Sequence, residues 1–134
     1  MTRFASLLLA VAAAVALPSS GMAVPSDWAR AAPVHVDLSS FKFSPGTIHM
    51  KAGQPVLLHL VNTSSGGHDF TAREFFAAAS VRPADAAKLR KGAIALRGHQ
   101  SAEIALVPKA GRYPLRCGHS FHSTLGMKGT IVVD

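Results

Sequence analysis

Short runs of alternating apolar and polar residues predict β-strands along most of the chain after residue 33. The run at 56–61 is apolar at nearly every position, which is typical of a central strand covered on both faces. Turns rich in Gly and Pro separate the runs. The predicted strands cover residues 34–38, 47–51, 56–61, 93–97, 102–107, 113–117 and 129–133. About seven short strands at this spacing predict an all-β fold, a Greek-key antiparallel β-sandwich, with a small β-barrel of the oligonucleotide-binding kind as the alternative.

Residues 71–91 interrupt the strand pattern. Thr71 and Glu74 have the spacing of a capping box, and a run of two phenylalanines and three alanines follows them. Pro83 suits the first turn of a second short helix, which Gly92 would end. We therefore expect a short helical insertion in the sandwich around residues 71–91.

The first residues have the features of a secretory signal peptide. Arg3 gives a basic start, residues 4–17 are almost entirely apolar, and Gly21 and Ala23 place small residues at the −3 and −1 positions. An uncleaved anchor is the less favoured alternative, because a membrane span needs roughly 18 apolar residues. We expect a signal peptide at 1–23, an extended leader at 24–33 and one domain at 34–134. The mature protein is then a periplasmic or extracellular monomer with no membrane span.

Composition narrows the range of chemistry. The 134 residues include one cysteine, which excludes an intramolecular disulfide and any site that needs two thiolates from this chain. The formal net charge is +7, of which Arg3 would leave with the signal peptide. Among the basic residues, Arg73, Arg116 and Lys128 lie nearest the chemistry described next, so we expect them to attract acidic protein partners. Nucleic acid is not expected as a partner, because the basic residues are not interleaved with aromatic ones.

One stretch near the C-terminus combines three kinds of metal donor. Cys117, His122 and Met127 follow each other at the spacing C-x4-H-x4-M. Thiolate and thioether stabilise Cu(I), and imidazole also suits Cu(II), so this donor set suits copper. A further imidazole, His68, comes shortly after the predicted central strand at 56–61.

These residues and their surroundings resemble the cupredoxins, the plastocyanin/azurin-like blue type 1 copper proteins. The C-x4-H-x4-M spacing is similar to that of rusticyanin-like members. The resemblance covers about residues 41–134 and is carried by the following segments: Phe41-Lys-Phe-Ser-Pro-Gly, Lys51-Ala-Gly-Gln, Val61-Asn-Thr, His68-Asp-Phe, Gly111-Arg-Tyr-Pro-Leu-Arg-Cys117 and Gly126-Met-Lys-Gly-Thr-Ile-Val-Val.

The resemblance implies one copper ion with His68, Cys117 and His122 in a trigonal plane and Met127 as a long axial ligand. Gly67 is a candidate for a weak axial contact through its carbonyl. His119, two residues after Cys117, is the alternative to His122, with a supporting or surface position as its other interpretation.

Asp69 departs from the family pattern, in which Asn or Ser is frequent after the first histidine. A carboxylate at this position can still accept backbone N–H bonds. Its charge is expected to favour Cu(II) and to lower the reduction potential.

The predicted function is one-electron transfer between redox proteins through Cu(I)/Cu(II), with transient contacts and no catalysis. Four protein donors leave no open coordination position for a substrate, which argues against an enzyme. The main alternative is a copper carrier or storage protein. A metal-free sandwich used for adhesion is a further alternative, although it leaves the ligand set unexplained.

Overall fold

The structure is a computed structural model that describes residues 27–119 and 126–134. Its strands are β1 (Ala32–Ser39), β2 (Lys42–Ser44), β3 (Thr47–Met50), β4 (Val56–Asn62), β5 (His68–Thr71), β6 (Ser80–Val81), β7 (Ala93–Leu96), β8 (Ser101–Val107), β9 (Gly111–Arg116) and β10 (Lys128–Val133). The helical elements are a 3₁₀ turn (Trp28–Arg30), the short helix α1 (Arg73–Ala78) and a second 3₁₀ helix (Pro83–Lys88). None of the helices in these described ranges is both long and apolar enough to cross a bilayer.

The strands form two five-stranded sheets. The order is β2-β1-β4-β8-β6 in the first sheet and β3-β10-β9-β5-β7 in the second. Apolar side chains alternate inward on β1, β3 and β4 and meet in one core between the sheets. The prediction of an all-β sandwich with a short helical insertion is confirmed.

Most strand pairs are antiparallel, as predicted, but the sheets are mixed because two pairs are parallel. Strand β1 pairs in parallel with β4, and β3 pairs in parallel with β10. The first parallel pair arises because the chain leaves β1 through β2, crosses to the second sheet as β3 and returns to the other side of β1 as β4. A crossover of this kind brings two strands of one sheet into the same direction.

Local differences from the sequence expectations have simple causes. Strands β2, β5 and β6 were not predicted, because β2 and β6 have only two or three residues and the four residues of β5 show no clear alternation. The capping box is also wrong: Ala72 occupies the N-cap of α1, and the Thr71 hydroxyl donates to Asp69 Oδ1 at 2.9 Å. In the expected leader at 24–33, the chain forms the first 3₁₀ turn and then enters β1 at Ala32. Residues 1–23, the predicted signal peptide, lie outside the described residues.

Aromatic side chains join the two sheets beneath α1. Phe43 of β2 contacts Phe70 of β5 edge-on, with ring centres 6.0 Å apart, and Phe70 contacts Phe76 of α1 at the same separation. Phe75 packs on Tyr113 of β9 at 5.5 Å. These contacts hold β5 against both the helix and the opposite sheet, which fixes the strand that begins with His68.

A buried carboxylate attaches the second 3₁₀ helix to the first sheet. Asp85 is only 2% exposed and accepts hydrogen bonds from Arg82 Nε and Lys88 Nζ, both at 2.7 Å, and from the Ala105 amide at 2.9 Å. Burial by itself would raise the pKa of Asp85, but these hydrogen bonds outweigh it and lower the pKa from 3.8 to about 2. The carboxylate is therefore ionised and paired, and it holds the insertion against β8.

Candidate metal centre

His68 and Cys117, predicted as metal ligands from distant parts of the sequence, lie side by side in the structure. His68 begins β5 and Cys117 directly follows β9, and these strands are neighbours in the second sheet. Both residues are buried, and Nδ1 of His68 lies 4.0 Å from Sγ of Cys117. Since metal–nitrogen and metal–thiolate bonds are about 2.0–2.1 and 2.3 Å long, this separation fits one ion bound to both atoms.

Met127 is held next to Cys117 by the backbone. The Cys117 amide donates to the Met127 carbonyl at 3.2 Å, and both side chains are fully buried in the core. A buried imidazole, thiol and thioether therefore lie at one end of the sandwich, and their donor chemistry fits copper. His122, the remaining predicted ligand, lies outside the described residues. Within 27–119 and 126–134, no three His, Cys, Asp or Glu side chains form a metal-binding group by themselves.

Hydrogen bonds and burial determine whether the Cys117 thiol is protonated. The backbone amide of Asp69 donates to Sγ at 3.5 Å, and the His119 amide is a second backbone donor. Burial raises the pKa of the Cys117 thiol and outweighs the opposite effect of these two amides, while the Asp69 carboxylate also raises it. The thiol therefore keeps its proton at neutral pH in the protein alone, and binding of a metal cation would release it.

Asp69 links the segment that contains His68 to the segment that contains Cys117. Its Oδ1 accepts hydrogen bonds from the Gly118 amide and from the Thr71 hydroxyl. The carboxylate thus ties β5 to the residue after Cys117, in agreement with the expectation that it accepts a backbone N–H bond. The Asp69 carboxylate therefore points toward Gly118 and supports the backbone that follows Cys117.

His119 and Gly67 lie together beside this link. The His119 side chain is 46% exposed, and its Nε2 is 3.8 Å from Oδ2 of Asp69. A Cβ added to Gly67 would lie 3.6 Å from Cε1 of His119, so the ring rests against the Gly67 backbone. His119 thus faces Asp69 and solvent, an arrangement that favours a supporting or surface position.

Sequence reasoning gave no individual role to Asn62, which shapes the loop before His68. Asn62 is fully buried at the end of β4 and donates through Nδ2 to the carbonyls of Gly66 at 2.8 Å and Arg97 at 3.0 Å. Its Oδ1 accepts from the amide and hydroxyl of Ser64. An asparagine followed by Thr-Ser-Ser-Gly-Gly at the end of a strand is a turn signal that points to such a role.

A basic cleft opens next to Cys117. It has a volume of about 290 Å³, Asp69, Thr71 and Gly118 lie in its wall, and Cys117 contributes to its lining. Four cationic side chains line the same cleft: Arg73, Arg90, Lys91 and Arg116. In the part of the chain that the structure describes, none of the four has an ion-pair partner. Arg73 and Arg116 are two of the three basic residues that were expected near the metal donors. The third, Lys128, is the Cα partner of Arg116 in the pairing of β10 with β9.

The cupredoxin-like domain family model matches residues 5–133 of this chain. The chain belongs to the cupredoxin-like family. No protein in the curated set matches the sequence significantly.

Several solved structures are similar to this chain in fold. Auracyanin B is 25% identical, with a TM-score of 0.56 over 78% of this chain and 89% of the other. Auracyanin A, described as a "blue" copper protein from the green thermophilic photosynthetic bacterium Chloroflexus aurantiacus, is 22% identical, with a TM-score of 0.52 over 76% and 99%. The McoA multicopper oxidase of the hyperthermophile Aquifex aeolicus is 17% identical, with a TM-score of 0.61 over 85% of this chain but only 32% of the oxidase. The latter two similarities establish the fold alone.

Proposed function

We propose that this cupredoxin-like protein is an exported electron carrier that holds one copper ion. His68, Cys117 and His122 would form its trigonal plane and Met127 its axial ligand. The observation that carries the proposal is the buried contact between Nδ1 of His68 and Sγ of Cys117 at 4.0 Å. Bound copper would supply a one-electron Cu(I)/Cu(II) couple, which none of the side chains provides.

The surroundings of Cys117 support electron transfer because they hold the ligands in place. The sulfur accepts two backbone N–H bonds, and the Cys117 amide is bonded to the Met127 carbonyl. Asp69 fixes the next amide, and Asn62 fixes the loop before His68. Donors held by this many backbone bonds move little when the charge of the site changes, which keeps the reorganisation energy small.

The proposed partners are redox proteins that present acidic surfaces. The basic cleft adjoins Cys117, and its four cations, Arg73, Arg90, Lys91 and Arg116, carry charge of one sign toward solvent. Such a surface accelerates encounter with an anionic partner and favours short-lived complexes at moderate salt. His122 is the proposed point of electron entry or exit, and the cleft would orient the partner.

A role without catalysis is also part of the proposal. Four protein donors would leave no coordination position for a substrate, which separates this site from open catalytic metal sites.

Export to the periplasm or the extracellular space follows from the predicted signal peptide at 1–23. N-terminal sequencing of the protein recovered from cell fractions tests it: a periplasmic or secreted protein that begins at Val24 supports export, and a cytoplasmic protein that keeps residues 1–23 contradicts it.

Voltammetry in the presence of a Cu(I) chelator distinguishes an electron carrier from a copper carrier. An electron carrier should cycle reversibly for many scans and keep its copper, because its donors are buried. A copper carrier should lose its signal to the chelator when the ion is reduced. Rapid loss of copper from the wild-type protein would overturn the proposed function in favour of copper delivery.

A further inference from the structure

Two histidines and two acidic residues form a row on the outer face of the first sheet. His35 of β1 is the Cα partner of His59 of β4, and His59 is the Cα partner of Glu103 of β8. Asp37 lies two residues after His35 on the same face of β1. All four side chains are 39–56% exposed. Their strands belong to the sheet that does not contain His68, and Cys117 follows a strand of that other sheet.

The spacing of the two imidazoles matches the spacing that a shared metal ion imposes. The centres of the His35 and His59 rings are 5.2 Å apart. A metal–nitrogen bond of about 2.0–2.1 Å places each ring centre about 3.2 Å from the metal, so two imidazoles at a tetrahedral angle have centres about 5.2 Å apart. The two rings thus already lie at the required separation.

Each ring also has a carboxylate at one of its nitrogens. Nε2 of His35 lies 2.8 Å from Oδ1 of Asp37, and Nδ1 of His59 lies 3.5 Å from Oε1 of Glu103. Histidines that bind metals typically donate the other ring N–H to a carboxylate, which orients the ring and makes the ligating nitrogen more basic. The nitrogens that a metal would take are therefore Nδ1 of His35 and Nε2 of His59.

We propose that His35 and His59 form a second, exposed site for a divalent transition-metal ion of the Zn²⁺ or Cu²⁺ class. Asp37 and Glu103 are positioning residues that orient the two rings. In the described ranges no third His, Cys, Asp or Glu already converges on this point, so water completes the coordination and the ion exchanges readily. The Lys88 ammonium lines the same surface depression as His59 and Glu103, and it is held there by hydrogen bonds to Asp85 Oδ1 at 2.7 Å and to the Glu103 carbonyl at 2.6 Å.

Zinc titration of the copper-loaded protein tests the site. We expect isothermal calorimetry to detect one equivalent of Zn²⁺, with the visible spectrum of the copper centre unchanged. His35→Gln and His59→Gln should each weaken Zn²⁺ binding by about tenfold or more, and Asp37→Asn should weaken it by a smaller factor. His49→Gln, an exposed histidine on β3 of the other sheet, is the matched control and should bind as the wild type does.

Nuclear magnetic resonance of the histidine rings gives a second readout. Zn²⁺ should shift the ring signals of His35 and His59 and leave those of His49 unchanged. Zinc binding that is equally strong in His35→Gln, or no zinc binding at all, would overturn the proposal. The site does not depend on the copper centre, so if the protein took up no copper, the same ring shifts in the metal-free protein would still decide the question.

Discussion

Nδ1 of His68 and Sγ of Cys117 lie 4.0 Å apart in the buried end of the sandwich, although the two residues are 49 positions apart in sequence. The contact exists because β5 and β9 are neighbours and because Asp69, next to His68, binds the Gly118 amide. Two strands and one carboxylate thus bring together donors of the type that copper prefers.

Substitution of His122 and of His119, one at a time, should show which of the two histidines binds copper. We expect His122→Gln to abolish or strongly alter the thiolate-to-copper absorption of the Cu(II) protein. His119→Gln should keep the absorption, because the His119 ring is half exposed and faces Asp69. Visible spectra of both variants at equal copper loading provide the measurement. A normal spectrum in His122→Gln together with a lost spectrum in His119→Gln would reverse the assignment.

Removal of the negative charge beside the site should raise the reduction potential. Asp69→Asn keeps an oxygen that can accept the Gly118 N–H bond, but it removes a charge that favours Cu(II). We expect an increase on the order of 100 mV, the size of the effect of one charge about 7 Å away at an effective dielectric constant of about 20. Protein-film voltammetry measures the change, and Asp37→Asn on the other sheet is the control. A potential that stays the same or falls would show that the Asp69 charge does not influence the metal.

Charge reversal in the basic cleft should slow reactions with anionic redox partners. Arg73→Glu and Arg116→Glu each remove one of the four cations and add a negative charge beside Cys117. We expect each to lower the rate of oxidation by the anion hexacyanoferrate(III) by about threefold or more at low ionic strength, with the difference shrinking as salt is added. Stopped-flow absorption gives the rates.

Arg112→Glu provides the control for this experiment, because it makes the same charge change at the other end of β9. Its rate should be closer to that of the wild type. If all three variants slowed the reaction equally, net charge rather than the cleft would account for the effect.

Acid should weaken the attachment of the second 3₁₀ helix. The pKa of Asp85 is lowered from 3.8 to about 2 in the folded protein, so the carboxylate stabilises the fold fully above the unfolded pKa and loses this contribution as the pH falls toward the folded pKa. The shift corresponds to about 2 kcal/mol. Urea unfolding of the metal-free protein at pH 6 and pH 2.5 should therefore show a loss of most of this amount from Asp85 alone.

The variant Asp85→Asn isolates the contribution of this carboxylate. It should be less stable than the wild type at pH 6, because Arg82 and Lys88 lose their charged partner, and its stability should fall less between the two pH values. An unchanged pH dependence in Asp85→Asn would contradict the attachment described above.

The long strands and a set of candidate metal donors could be predicted from the sequence for a physical reason. Alternation over residues 34–38 identified β1, and the apolar run at 56–61 identified β4. The chemistry of Cys117 and Met127 pointed to copper without any knowledge of the fold. Strand β5 escaped detection because four residues that begin with a buried histidine and an aspartate show no clear alternation. Its position depends on the packing of Phe70, which is a tertiary effect.

Features that depend on strand register could not be predicted from spacing along the chain. His35 and His59 are far apart in sequence and meet only because β1 pairs in parallel with β4. Arg90 and Lys91 join Arg73 and Arg116 only after the insertion has folded against β5 and β9. The role of Asn62 likewise depends on the carbonyls that β7 brings to it. In each case the long-range pairing of strands created the arrangement.

The most direct test of the central claim is the visible and electron paramagnetic resonance spectrum of the purified protein loaded with one equivalent of Cu(II). A copper ion bound by the Cys117 thiolate together with His68 should give an intense blue or green charge-transfer band and the narrow copper hyperfine splitting of a type 1 site. The Cys117→Ser variant should lack both features. A colourless Cu(II) complex of the wild-type protein, or a spectrum unchanged in Cys117→Ser, would contradict the account.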